Sequence, residues 1–217
     1  MNRIKKFSAS IILLLIYVVV VFYLALVVPA NASIPIHWNA QGQIDGYASK
    51  TTAVITALAL NFGLFILLYL MPFYSPKYKQ QAARFDKVLP KIVFMLLIFF
   101  SILNIYMLAY PLITIELPLN PVLIIIGLML AVLGNILPKV PRNFFVGIRT
   151  PWTISDEDNW HKTHRLGGRL FLIGGLLLAI SGLIPLSARF SGIVFWIIMI
   201  IILFPALYSF ILYRRSR

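Results

Sequence analysis

Long apolar runs alternate with short polar interruptions along the whole chain. The runs fall at about Phe7–Val28, Thr51–Met71, Leu89–Tyr110, Asn120–Leu137, Leu166–Pro185 and Ser191–Tyr213. A hydrocarbon core about 30 Å thick takes about 20 helical residues per crossing, and each run is near that length. Within a run the apolar residues are continuous. They do not alternate with polar ones as the strands of an outer-membrane barrel do. Backbone in lipid must bond to itself, so continuous runs predict helices. The pattern therefore predicts an all-α polytopic membrane protein with about six transmembrane helices.

Composition agrees. Mean hydropathy is +0.94 and only 12% of residues are charged, against about 25% in soluble domains. No cysteine is present, which excludes disulfides and thiolate chemistry. The first run, with Arg3, Lys5 and Lys6 before it and Ala30-Asn31-Ala32 after it, has the outline of a secretory signal. A signal core spans only about 7–15 residues, so the greater length here favours an uncleaved anchor.

The net charge of +13 suggests a nucleic-acid partner until the cations are placed. With the N-terminus inside, the inner segments hold Arg3, Lys5, Lys6, Lys77, Lys79, Arg84, Lys87, Lys91, Lys139, Arg142, Arg149, Lys162, Arg165, Arg169, Arg214, Arg215 and Arg217. The outer segments hold Lys50 and Arg189. Cytoplasmic loops carry the Lys/Arg excess, so both termini are expected to be cytoplasmic. No direct nucleic-acid partner is needed, and anionic lipids are the natural partners of such a face.

The spans hold no mid-membrane Asp, Glu or His. Pumps and proton-coupled carriers usually keep such groups there. Lys91 and Arg169 fall near span ends, where long side chains snorkel. Asn61, Ser101 and Asn104 read as interhelical hydrogen-bonding residues. In the fifth span Gly168, Gly175 and Gly182 recur every seven residues beside Gly167, Gly174 and Ser181. Such a small-residue stripe lets helices approach closely.

Pro138–Gly168 is the longest polar interruption. It holds Asp156, Glu157 and Asp158, two of three histidines and two of four tryptophans. Thr150-Pro151-Trp152-Thr153 is expected to be extended or turn-like, because the residue before proline avoids the helical region. Ser155 is the expected N-cap of a short interfacial helix leading into the fifth span, with the three acids in its first turn. Glu157, His161 and His164 can share a helix face as a metal set, but without HExxH spacing. Interfacial hydrogen bonding is the alternative, and no metal or cofactor is expected. Arg142, Arg149 and Arg165 can form an anion clamp or contact inner-leaflet lipid. The outer loop Ser33–Lys50 carries His37, Trp38, Asn39, Gly42, Asp45 and Gly46. Asn39 to Gly42 reads as a tight turn.

Two of these segments carry a family resemblance. Gly147-Ile148-Arg149-Thr150-Pro151-Trp152-Thr153, followed by Trp160, His164-Arg165 and Gly168, resembles the signature of the SdpI-like family of bacterial membrane proteins. Ile34-Pro35-Ile36-His37-Trp38-Asn39, with Gly42 and Asp45, resembles a small domain of unknown function found at the N-terminus of longer members. The resemblance implies a multi-pass protein of the bacterial plasma membrane. It also implies immunity to a secreted killing peptide, with signalling through a cytoplasmic transcriptional repressor in some members.

The combined expectation has three stretches. Residues 1–72 form a two-span unit with an extracytoplasmic loop, 73–119 a basic cytoplasmic loop and third span, and 120–217 an SdpI-like unit with a cytoplasmic loop. A secreted peptide toxin would be met near His37, Trp38, Asn39 and Asp45. Arg149, Thr150, Pro151, Trp152, Trp160, His164 and Arg165 would hold span ends or report to a partner. No catalytic residue is expected. The alternatives are an envelope sensor, a small-molecule carrier and, further off, a metal-dependent membrane hydrolase using Glu157, His161 and His164.

Overall fold

The computed structural model describes residues 3–80, 82–114 and 119–215. The turn expected at Glu116 and Pro118, the tail residues Ser216 and Arg217, and the side chains of Lys77 and Lys79 lie outside what is described. Among the described residues, six helices are long and apolar enough to cross a membrane. They are α1 (Ser8–Val27), α2 (Lys50–Tyr69), α3 (Ala82–Ala109), α4 (Pro121–Ile136), α5 (Glu157–Leu183) and α6 (Ala188–Arg215). Their outward faces are apolar: Val19, Leu26 and Ile200 are each more than 65% exposed. Such a surface is stable only in hydrocarbon. This is a multi-pass helical membrane protein.

Several boundaries differ from the hydropathy reading. The basic stretch after α2 is helical rather than looped. Met71–Tyr74 and Pro76–Gln80 form short helices, and α3 begins at Ala82. Proline at the first positions of a helix loses no needed N–H, so Pro72 and Pro76 start turns there. Tyr78 in this segment packs its ring on Phe85, and its hydroxyl donates to Asp86. Burial, reinforced by that carboxylate, pushes the Tyr78 phenol up to about 12. Lys6 pairs with the same Asp86 at 2.6 Å.

The loop between α1 and α2 is a β-hairpin. Strand β1 (Ser33–Trp38) pairs antiparallel with β2 (Ile44–Ser49), Ser33 opposite Ser49 and Trp38 opposite Ile44, with irregular register around His37. The expected turn closes it: the Gly42 N–H donates to Asn39 O at 2.9 Å, and Asn39 Oδ1 accepts from the Gln41 and Gln43 N–H groups at 3.0 Å. Lys50, at the start of α2, donates to Ala25 O and Val28 O at 3.0 Å. A cation thereby covers the orphan carbonyls ending α1.

Helices α1, α2 and α3 pack around two apolar clusters. One holds Phe7, Leu14, Leu68, Met71, Phe85 and Leu97. The other, under the hairpin, holds Tyr17, Val21, Ile34, Ala57 and Leu108. Asn104 lies between them and donates to the Tyr17 hydroxyl at 3.3 Å, the interhelical bond expected of it. Asn61 Nδ2 donates to Ala57 O of its own helix, its side chain also lies beside the Tyr17 hydroxyl, and Ser101 Oγ is buried with no hydrogen-bond partner among the described residues.

Helices α4 and α5 form the most intimate pair. Backbone meets backbone along the small-residue stripe. A Cβ at Gly127 would lie 2.4 Å from Ala179 N, one at Gly134 2.5 Å from Leu172 N, and one at Gly175 2.5 Å from Ala131 N. At the seam's end the Asn120 N–H donates to Gly182 O at 2.7 Å. Gly174, on the adjoining face, packs against Ile202 of α6. The stripe is thus a packing seam inside the bundle.

Candidate functional site

The segment between α4 and α5 folds into an interlocked knot at the basic end of the bundle. Its framework is Asn143, which is wholly buried. Asn143 Nδ2 donates to Pro141 O at 2.8 Å and Val146 O at 2.9 Å; its Oδ1 accepts from the Phe145 and Val146 N–H groups at 2.7 Å. One side chain thus closes a turn that has no regular secondary structure to satisfy it.

The chain then passes Gly147, whose φ of +121° is a conformation open to glycine. The position is also crowded: a Cβ there would lie 2.4 Å from His164 Nε2. The next N–H, of Ile148, donates to that Nε2 at 3.0 Å, and His164 Nδ1 faces Trp160 O at 2.8 Å. Nε2 accepts, so it carries the lone pair, and Nδ1 must carry the proton. His164 is a neutral imidazole with both nitrogens engaged. It stacks on the Trp160 ring at 3.9 Å between centroids. Trp160 is fully buried, donates from Nε1 to Val140 O at 2.9 Å, and packs with Ile92 of α3 and Val140.

Thr150, extended at ψ 160° as expected before proline, begins a helix rather than a turn. Pro151–Ser155 is a short helix, started by a reciprocal cap between Thr150 and Thr153. Thr153 Oγ1 also donates to Ile148 O at 2.8 Å. Ser155 is the last residue of that helix, and Asp156 is the N-cap of α5, accepting from the Asn159 N–H at 2.8 Å. The shift follows from the threonine box, which starts a helix one turn before the acids. The expected interfacial helix is continuous with the fifth span.

Two bonds tie this knot to α6. Thr150 Oγ1 meets Ser209 Oγ at 2.9 Å, and Asn159 Nδ2 donates to Ser209 O at 2.9 Å. Trp152 packs its ring on Phe210 and Tyr213. Arg142 donates to Ile154 O and Ser155 O, and Arg149 to Phe144 O. These two guanidinium groups are engaged with backbone rather than held free for an anion, and Arg165 is exposed on α5. The candidate metal set does not assemble. Glu157 and His161 lie 3.7 Å apart on the surface, while His164 is buried with both nitrogens bonded.

At the other end His37 Nδ1 and Asp45 Oδ1 lie 2.5 Å apart, both side chains exposed. Trp38 leans on Tyr106 of α3, and Asn39 is consumed in the turn. The hairpin tip reaches across to the second half of the chain. Asn120 Nδ2 donates to Gly42 O at 3.0 Å, and a Cβ on Gly192 of α6 would lie 3.1 Å from Gln41 Nε2. Thr163 Oγ1 donates to Asn159 Oδ1 at 3.0 Å, and nothing in residue spacing singles out Asn143, Asn159, Thr163 or Ser209 as parts of the knot. The readable signal is Asn143 just after Pro141, a residue that favours turns closed by its own side chain.

Six lipid-facing helices, a hairpin strap at one end and a hydrogen-bonded knot at the other define a polytopic membrane protein whose polar chemistry lies at its two faces. Residues 139–213 match the SdpI/YfhL protein family, and residues 11–62 match a domain of unknown function, DUF1648; the resemblance carried by the two motifs holds. The chain is also similar to the Immunity protein SdpI of Bacillus subtilis (strain 168), at 29% identity over 82 residues. That match covers 38% of this chain and 37% of the relative. No solved structure matches the chain.

Proposed function

We propose that this protein is a membrane immunity protein of the bacterial plasma membrane that raises resistance to a secreted antimicrobial peptide. Its basic end and both termini face the cytoplasm, and its hairpin faces outward. The observation that carries this reading is the extent of the family match. Residues 139–213 take in the knot, α5 and α6 as far as Tyr213, and the similar relative is an immunity protein.

The geometry gives the proposal a route. The exposed His37–Asp45 pair, with Ile36 and Tyr47 beside it on the strands, offers a peptide charged and apolar contacts together. The hairpin tip rests on Asn120, the N-cap of α4. A pull on the tip therefore reaches α4 directly and α5 through the glycine seam, and both helices end in the knot. The exposed Arg149 and Arg165 flanking the knot are the surface on which a cytoplasmic repressor would read that change. In this reading residues 1–72 receive the peptide, 73–119 supply the basic connector and third span, and 120–217 form the responding unit.

The test is survival of a sensitive bacterium expressing the protein, challenged with the secreted killing peptide of the same or a related strain. Selective protection, reduced by Arg149→Ala and by a His37→Ala/Asp45→Ala pair at equal membrane abundance, is the expected result. Unchanged survival with well-inserted protein would refute immunity.

A further inference from the structure

Lys139 and His161, beside the knot, line a cleft of about 390 Å³ with Arg84 and Lys87 of α3. Arg84 and Lys87 are three residues apart on one helix and so present one face. Lys139 ends the short turn after α4. Among the described residues, no carboxylate forms an ion pair with any of these three cations. Asp86, which lies between two of them in sequence, is held by Lys6 and Tyr78. Glu157 associates with His161.

Several other cations on the same end have partners. Arg3 donates to Tyr69 O, Arg142 and Arg149 to carbonyls, and Lys162 to Asp158. The cleft instead gathers three permanent like charges that repel one another, and a bound anion removes that repulsion.

The remaining lining is Val88, Pro138, Val140 and Pro141, so the cationic rim stands over an apolar floor. Its depth is fixed by the helices. The apolar run of α3 starts at about Leu89, with Lys91 one turn from Lys87, and α4 ends at Ile136, which sets the cleft at the level where hydrocarbon gives way to headgroups. Its volume lies within the range of about 300–1,000 Å³ typical of ligand sites. Lysine suits phosphate as a point charge and arginine as a fork. We propose that this cleft is a binding site for one anionic glycerophospholipid. Arg84, Lys87 and Lys139 hold its phosphodiester, His161 offers a further hydrogen bond, and an acyl chain lies along Val88 and Pro138. A basic face in general attracts lipid diffusely; the cleft singles out a place and a stoichiometry.

The experiment uses the full chain in neutral detergent with phosphatidylglycerol or phosphatidylcholine added, read by native mass spectrometry and by thermal unfolding. The expected result is one tightly retained phosphatidylglycerol and a rise in unfolding temperature that phosphatidylcholine does not give. Affinity falls about fivefold for each cation removed, by the usual worth of one Lys or Arg at an anionic surface. The Arg84→Gln/Lys87→Gln/Lys139→Gln triple variant therefore loses the preference. Arg165→Gln/Arg169→Gln/Arg214→Gln, which removes the same charge from the same end, keeps it. Equal loss in both triple variants, or no preference in the intact protein, would overturn the site. Glycerol phosphate competing as well as the lipid would make the ligand a soluble phosphate and overturn the lipid assignment. Lys139→Gln alone, which keeps both α3 cations, must still weaken retention, so the test does not rest on the folding of a triple variant.

Discussion

A methyl group at Gly127 is the sharpest probe of how the second half of the bundle is held. Its Cβ would stand 2.4 Å from Ala179 N and 2.5 Å from Gly175 O. Both are backbone atoms of α5, so no rotamer change relieves the clash. Restoring van der Waals separation, about 3.5 Å or more, requires α4 to move about 1 Å away from α5. Overpacking of this kind typically costs about 1–3 kcal/mol. The displacement also stretches the Asn120 N–H bond to Gly182 O, at a further cost of about 0.5–1.5 kcal/mol. Losing the helix penalty of glycine returns about 0.5–1 kcal/mol, so Gly127→Ala is expected to destabilise by about 0.5–4 kcal/mol.

Gly63 supplies the control. It is exposed in the middle of α2, and a Cβ there meets nothing within 4 Å. Gly63→Ala removes only the helix penalty of glycine and is expected to gain about 0.5–1 kcal/mol. The assay is reversible unfolding of both variants in mixed micelles of rising SDS fraction. Stabilities within about 0.5 kcal/mol of each other, the scatter expected of surface substitutions, would refute the seam.

The remaining predictions concern the knot, its surroundings and the topology. His164→Ala leaves the partly buried Ile148 N–H without its acceptor; a loss of about 1–3 kcal/mol is expected, with faster hydrogen exchange at Ile148 as the local readout. Trp160→Phe leaves the buried Val140 O without its donor and is expected to cost about 1–3 kcal/mol by the same unfolding assay. The Tyr78 phenol, raised from 10.0 to about 12, is a group whose neutral form the fold favours. Its contribution is complete below pH 10 and is lost as pH rises through about 12, so an alkaline titration should show this drop in wild type and not in Tyr78→Phe. Because the chain has no cysteine, Tyr47→Cys and Arg165→Cys give a clean topology test. In intact cells an impermeant thiol reagent should label the first and not the second; the reverse pattern would invert the orientation.

The helices were legible in the sequence because continuous apolar runs have one stable form in lipid. The seam was legible too: glycines spaced seven apart fall on one face, and Gly168, Gly175 and Gly182 all meet α4. The hairpin was not, because Pro35 and the polar residues around Gly42 and Gly46 interrupt the alternation that marks strands. Only the turn at Asn39 announced it. In the knot, residue types were readable but partners were not. His164 resembles a ligand in the sequence, and only the approach of the Ile148 N–H through Gly147 shows its nitrogens committed. Ser209, near the end of α6, carries no local signal at all, since its importance comes from Thr150 and Asn159 some fifty residues earlier.

The distances in sequence spanned by these bonds also set an order of assembly. Asn143 bonds within three residues, and His164 and Trp160 reach back sixteen and twenty. Such local closures form fast. The bonds of His164 and Trp160 can therefore close before Ser209 of α6 is in place. Ser209 comes last, and two donors on an already finished surface are waiting for it. The final helix thus joins this protein as a latch on a closed lock rather than as part of the lock itself.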